Sequence, residues 1–255
     1  MTRLERRAAG TRPVVRVGRK GPVLWLQIDR PHVRNALDTN VVAALDDGLD
    51  AAERDPSVRA VAITGTGRAF CSGGDVRMLA DPGSGAALRR FRNDFGRLLG
   101  RIESHPLPVL AAVNGATVAG GLELILACDL VVAAADAHIG DGHVLNGLIP
   151  GAGGSVRLPG AVGRHRAAEL LYTGELHDAA LLQAWGLVNE VVEPSELTDT
   201  IEAFVGRLGA RDAVTRIKAL FRETATCATR SAALQVEDRH VERHMRTDAF
   251  RKAPN

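Results

Sequence analysis

Cysteine is scarce in this chain. Cys71, Cys128 and Cys227 are widely spaced and odd in number. No pair stands at CxxC spacing and no His/Cys group has the spacing of a zinc site. Neither a disulfide framework nor a metal site is expected, and the free thiols point to a reducing, cytoplasmic setting. Lysine is limited to Lys20, Lys218 and Lys252, the remaining basic residues being arginine. The formal net charge is only +2, which removes the electrostatic case for a nucleic-acid partner. Long apolar runs are also missing. The richest region, 107–135, is broken by Asn114, Glu123 and Asp129, so it reads as buried core and no membrane partner is expected. The opening MTRLERRAAGTRP has basic residues but no apolar h-region, so it does not read as a secretory signal. Glu5 and the lack of serine argue against a mitochondrial transit peptide, and a short flexible extension is expected over 1–13.

Several chemical motifs are absent too. GTGRAF (65–70) begins like a dinucleotide fingerprint, but Phe70 stands where the third glycine belongs. No GxxxxGK[ST] phosphate loop occurs, so nucleotide binding has little support. HVERH (240–244) carries two histidines on one helical face without the glutamate that must follow the first in a zinc protease. An exposed polar face is the expected reading. Cys71 and Ser72 precede two glycines, but the Gly-x-Ser-x-Gly order of a nucleophile elbow is missing, so small residues lining a tight loop are expected there.

What is present suits one substantial core: 255 residues, 45% of them hydrophobic, in a single domain. VVRVGRKGPVLWLQID (14–29) reads as two strands around a Gly-Arg-Lys-Gly turn. Val41, Val42, Leu45, Leu49 and Ala52 recur at helical spacing after Asp38, a plausible N-cap. VRAVAITG (58–65) reads as a buried strand, followed by a polar glycine-rich loop, GTGRAFCSGGD. Phe91, Phe95, Leu98, Leu99 and Ile102 mark another helix. PVLAAVNG (108–115) is a strand, GLELILAC (121–128) a short apolar helix and DLVVAAA (129–135) a strand. From about 163 the chain turns helical, with LVNEVV (187–192) as the one clear strand and two or three amphipathic helices over 196–250. The alternation is an α/β pattern, in which ligands bind at the carboxyl ends of strands.

Two glycine clusters carry chemistry. In CSGGD (71–75), consecutive glycines after an apolar strand let backbone approach a ligand and let amides point into a site. In NGATVAGGLEL (114–124), Gly120 and Gly121 open a helix with Glu123 in its first turn. Unpaired N–H groups and the helix dipole favour negative charge at that place. Glu123 has the plain alternative role of complementing the dipole. Its neighbours Leu122, Leu124, Ile125 and Leu126 place it in a buried segment, where a carboxylate becomes a useful acid or base.

These segments, with RPHVRNAL (30–37), GRAFCSGGDVRML (67–79), PVLAAVNGATVAGGLELILACDLVVAA (108–134), GLIPGAGGSVRLPGAVGRHRAAELLYTG (147–174) and AWGLVNEVV (184–192), resemble the crotonase superfamily, the enoyl-CoA hydratase/isomerase family. The resemblance spans about 14 to 225. It implies an α/β crotonase-like core of repeated ββα turns over 14–195 and a helical C-terminal region over 196–255 that builds a homotrimer, often a dimer of trimers. It implies an acyl-CoA thioester substrate, with coenzyme A as part of that substrate and no separate cofactor. The thioester oxygen would be held by two backbone N–H groups, which map to Gly74 and Gly120. The CoA moiety would run along His32, Arg34 and Ala36 and along Gly74, Asp75, Val76 and Arg77, with Arg34 and Arg77 as phosphate contacts or, alternatively, surface ion pairs. Aliphatic residues of 76–104 would help shape the acyl pocket.

Hydratases of this family use two glutamates. One maps to Glu123; the position of the other, within GDGHVLNGLIP, is held by His143. Three readings stay open. His143 replaces the second glutamate in general acid/base chemistry, with Asp141 two residues earlier as a candidate to orient the ring. Alternatively Glu123 alone shuttles a proton, as in a double-bond isomerase or other thioester-enolate chemistry. Or the protein binds acyl-CoA without turnover.

Overall fold

The computed structural model describes residues 12–75 and 85–247. Val76 and Arg77, and most of the extension expected over 1–13, lie outside the described residues.

Strands β1 (Val15–Lys20) and β2 (Val23–Ile28) form an antiparallel hairpin. Its turn falls at Gly21–Pro22, not over Gly18–Gly21 as the sequence suggests. Gly18 stays in the strand opposite Trp25, and Gly21 is the residue that takes positive φ, 56°. Helix α1 (Thr39–Arg54) follows, and the Asp38 carboxylate caps it by accepting the Asn40 and Val41 N–H groups. Val41, Val42, Leu45, Leu49 and Ala52 form its buried stripe, as the spacing predicts.

Then come β3 (Ala60–Gly65), β4 (Ala69–Cys71), α2 (Gly85–Ser104), β5 (Val109–Val113), β6 (Ala116–Val118), α3 (Gly120–Ala127), β7 (Leu130–Ala134) and β8 (His138–Gly140). β4 lies inside the stretch expected to be all loop. Beyond it are α4 (Gly154–Val162), α5 (Arg164–Thr173), β9 (Leu176–Asp178), α6 (Ala179–Ala184) and β10 (Glu190–Val192). β9 adds a second strand where one was expected, because it completes the edge of a sheet rather than a buried strand of its own. Helices α7 (Leu197–Gly206), α8 (Arg211–Ala225) and α9 (Arg230–Met245) complete the described chain.

The strands form two sheets, ordered β1-β2-β3-β5-β7-β10 and β4-β6-β8-β9. From β2 to β10 the first sheet is parallel. Its central strands β3 and β5 are buried along their whole length, which explains their largely apolar sequence. The chain repeatedly leaves the first sheet for the second: β3 to β4, β5 to β6, β7 to β8. Each pair precedes a helix, and this gives the crotonase-like repeat of ββα turns. One face of the first sheet packs on α1, α2 and α3 in the main core. The other buries Val23, Ala60, Ala62, Leu110, Ala112 and Val132 against Leu197, Ile201 and Val205 of α7.

Helix α8 buries none of its side chains fully. It is tied to the core by Lys218, whose Nζ donates to the Ile102 and Leu107 carbonyls and pairs with Asp129 at 2.6 Å. His240, in the HVERH run on α9, is not simply exposed: its Nε2 lies 3.1 Å from Glu223 Oε2 on α8. Among the described residues no helix is long and apolar enough to cross a membrane.

Candidate active site

Three strands of the second sheet, β4, β6 and β8, run parallel and side by side. Gly73 and Gly74 follow β4, Ala119 and Gly120 follow β6, and Asp141 to His143 follow β8. All the main candidates therefore emerge at the same, carboxyl end of one sheet.

The first two segments meet closely. A Cβ on Gly120 would stand 3.3 Å from Gly73 Cα and 3.5 Å from the Gly74 nitrogen. On Gly73, which has φ 91°, a Cβ would stand 3.0 Å from the Gly120 nitrogen. Glycine at both positions is what lets the two amides approach. Neither the Gly74 nor the Gly120 N–H has a backbone hydrogen-bond partner among the described residues. Gly120 is the first residue of α3, where an N–H has no intrahelical partner. Ala119 before it takes φ 52° and ψ −113°, a strained conformation for a residue with a Cβ.

The RPHVRNAL segment is laced to this floor. Leu37 N–H donates to Gly73 O at 2.7 Å and Asp75 N–H to Leu37 O at 2.9 Å, forming a parallel bridge between Leu37 and Gly74. Ser72 N–H donates to Arg34 O. His32 and Arg34 are exposed, while Ala36 and Asp75 are buried. Arg30 organises the segment: its guanidinium donates to Ala36 O at 2.6 Å and pairs with Asp38 and Asp75. Asn35 is fully buried, accepts the Arg30 N–H and donates to the Thr66 and Ala69 carbonyls. Neither Arg30 nor Asn35 stands out in the sequence, since Asp75, Thr66 and Ala69 reach them only through the fold. Cys71 and Ser72 serve the loop. Burial pushes the Cys71 thiol up to about 12, and the Ser72 hydroxyl donates to Val33 O.

Glu123 lies on α3 and is 3% exposed. Its Oε1 accepts the Ala152 N–H at 2.7 Å and the Gly154 N–H at 3.0 Å. Its Oε2 has no hydrogen bond among the described residues. The donors belong to the GAGG loop, which Arg157 holds from below. Arg157 Nη1 donates to Ala152 O at 2.8 Å, and its Nε and Nη2 grip the Glu103 carboxylate at 2.6 and 3.0 Å. Arg157 lies in a segment quoted for the resemblance, but only the fold shows what it grips.

His143 is half-buried. Its Nδ1 lies 2.9 Å from Oδ2 of Asp141, and its backbone N–H donates to Oδ1 at 3.1 Å. Asp141 is fully buried. Burial is the largest single influence on the imidazole and pushes its pKa down. The Asp141 hydrogen bond, the Asp141 charge and the Glu123 charge together outweigh it, so the net direction is up from 6.5. The sequence left the Asp141 geometry open, and the fold supplies it. With Nδ1 engaged, Nε2 is the ring nitrogen left for chemistry.

The family model described as enoyl-CoA hydratase/isomerase matches residues 18–255. The chain is 38% identical over 184 residues to a crotonyl-CoA hydratase of Syntrophomonas wolfei, covering 72% of this chain and 70% of that one. It is 38% identical over 182 residues to the 2,3-dehydroadipyl-CoA hydratase of Escherichia coli, covering 71% and 70%. Among solved structures, an enoyl-CoA hydratase from Polaromonas sp. JS666 superposes with a TM-score of 0.87 at 34% identity, covering 92% of each chain.

Proposed function

Because the chain belongs to the enoyl-CoA hydratase/isomerase family, we propose that it adds water across the 2,3-double bond of an enoyl-CoA, with Glu123 and His143 as its acid–base pair. The observation that carries this reading is the Asp141–His143 pair, on whose ring the Glu123 charge also acts. An isomerase relying on Glu123 alone would have no use for a buried aspartate that orients a second ring and favours its charged form.

The Gly74 and Gly120 N–H groups hold the thioester oxygen. Conjugate addition moves electrons from the double bond to that oxygen, and two preorganised donors stabilise the charge as it develops. Loss of one such donor costs roughly 3–4 kcal/mol. Glu123 Oε2 takes a proton from water as the water oxygen bonds to C3. The His143 imidazolium gives a proton to C2 as the enolate collapses. The product is a 3-hydroxyacyl-CoA, and proton exchange between the two side chains and solvent restores the starting state. Asp141 favours the charged ring, the form that donates.

His32, Arg34, Ala36, Gly74 and Asp75 take the CoA portion, with Arg34, which has no ion pair among the described residues, on phosphate. CoA enters as part of the substrate, and the reading calls for no separate cofactor. Exposed Leu145, Ile149, Val156 and Tyr172, with Ile217 and Phe221 on α8, support assembly as a homotrimer or dimer of trimers, since soluble chains rarely leave so much apolar surface uncovered.

The test is to incubate purified protein with short and long 2-enoyl-CoA and with a 3-enoyl-CoA, identifying products by mass and chromatography. A 3-hydroxyacyl-CoA is expected from the 2-enoyl substrates. Double-bond migration without hydration would replace this reading with an isomerase. Thermal stabilisation by acyl-CoA without product would make the protein a binder.

A further inference from the structure

We infer that Arg92 is a specificity-determining residue that receives an anionic group at the far end of the acyl chain, so that the preferred thioester ends in a carboxylate rather than a methyl group. The inference rests on the acyl-CoA reading of the site above.

Helix α2 spans the two halves of that site with consecutive residues. The Phe91 ring lies 3.5 Å from where a Cβ on Gly74 would stand. Arg92, the next residue and exposed, lays its aliphatic stem on the loop at Gly151: its Cδ and Cγ stand 3.6 and 3.8 Å from the position of a Cβ on Gly151. Gly151 leads directly into Ala152, whose N–H holds Glu123 Oε1. A thioester oxygen at Gly74 and Gly120, with proton transfer at Glu123, therefore directs the acyl chain towards the loop on which Arg92 rests. Gly151 has no side chain to hold the arginine off.

Among the described residues Arg92, like Arg89 and Arg90, has no counter-charge, and of these three Arg92 is the one whose stem rests on the Gly151 loop. On the same helix, Arg97 pairs with Asp94 at 3.0 Å, and Arg101 pairs with Asp46 and Asp50 at 2.9 and 2.7 Å. Arg92 makes no ion pair or hydrogen bond with any described residue. A stem packed on a loop with a free guanidinium at its end is the usual way an arginine offers a planar fork from an apolar surface. A carboxylate fits that fork with two parallel hydrogen bonds. An alkyl terminus would gain nothing from it and would crowd its hydration.

The test uses adipyl-CoA and hexanoyl-CoA, saturated thioesters of equal chain length that differ only in the terminal carboxylate, with free CoA as reference. Affinities are measured by calorimetry for the intact protein and for Arg92→Gln and Arg92→Lys. The unaltered protein is expected to bind adipyl-CoA about tenfold tighter than hexanoyl-CoA, the scale of one charge-assisted contact. Arg92→Gln is expected to erase that ratio and Arg92→Lys to keep part of it. A ratio at or below one in the unaltered protein, or one that Arg92→Gln leaves in place, overturns the inference. So does an equal loss for both thioesters and free CoA, which would put Arg92 on the CoA phosphates. Binding needs no turnover, so the outcomes separate. Equal binding of both thioesters sinks this inference alone, whereas failure of every CoA ester to bind sinks the acyl-CoA reading and this inference with it.

Discussion

His143 Nδ1 stands 2.9 Å from Asp141 Oδ2, while the other oxygen of the same carboxylate accepts the His143 backbone N–H. One buried side chain thus fixes both the loop and the ring, and it adds negative charge that favours the imidazolium.

The pH profile of Asp141→Asn follows from this. The His143 pKa lies above 6.5, so the donating form persists above that pH, and the alkaline limb of kcat/KM reports its loss. Asparagine removes the charge and leaves the burial, so the limb is expected to move to lower pH. A limb that stays in place would remove His143 as the acid. Stability follows the same sign. A raised pKa stabilises the folded state fully below about 6.5 and loses that effect as pH rises through the folded value. The melting-temperature gap between the two proteins is expected to narrow at alkaline pH.

Glu123→Gln keeps an amide oxygen for the Ala152 and Gly154 N–H groups and removes the proposed base. The expected fall in kcat is roughly 10²–10⁴-fold, with the affinity for a saturated acyl-CoA changed much less. Hydration at an undiminished rate would take Glu123 out of the chemistry.

Ala119 has φ 52° at the entrance to α3. Glycine adopts that conformation freely, so Ala119→Gly is expected to stabilise the protein by about 1 kcal/mol, read from denaturant unfolding. No gain would mean that no strain is stored there.

Lys218 ties α8 to the core through two carbonyls and Asp129. Asp129 has its pKa raised by burial, an effect that Lys218 opposes. Lys218→Ala is expected to cost roughly 2 kcal/mol, the scale of a hydrogen-bonded charge, measured as a lower unfolding midpoint.

Light scattering is expected to return the mass of three or six copies. Phe221→Asp, at an exposed apolar position on α8, is expected to shift the mass downwards. A monomer at every concentration would remove the assembly reading.

The long elements are legible in the chain because each buries a periodic face of its own. The stripe from Val41 to Ala52 marks α1, Asp38 marks its start, and the apolar run of 60–63 marks a buried strand. Glu123 is legible too, since four aliphatic neighbours imply its burial. The strands β4, β6 and β8 are a different case. Each has three residues, too few to show a period, and each exists because its neighbour in the sheet supplies the hydrogen bonds. These strands bring Gly74, Gly120 and His143 to one end of a sheet. The same limit hid Asn35, Arg157 and Arg92, whose partners at Thr66 and Ala69, Glu103 and Gly151 lie far along the chain.

By itself, then, the sequence determined the α/β core, the glycines where backbone must approach backbone, and the unusual imidazole at 143. Only the tertiary structure decided how that imidazole is held. A ring beside an apolar loop is an ordinary side chain until a buried carboxylate at 2.9 Å and the Glu123 charge raise its pKa. The Asp141 part of that setting lies two residues away in the chain; the Glu123 part comes from a different element, brought near by the fold, and local sequence pattern does not encode it.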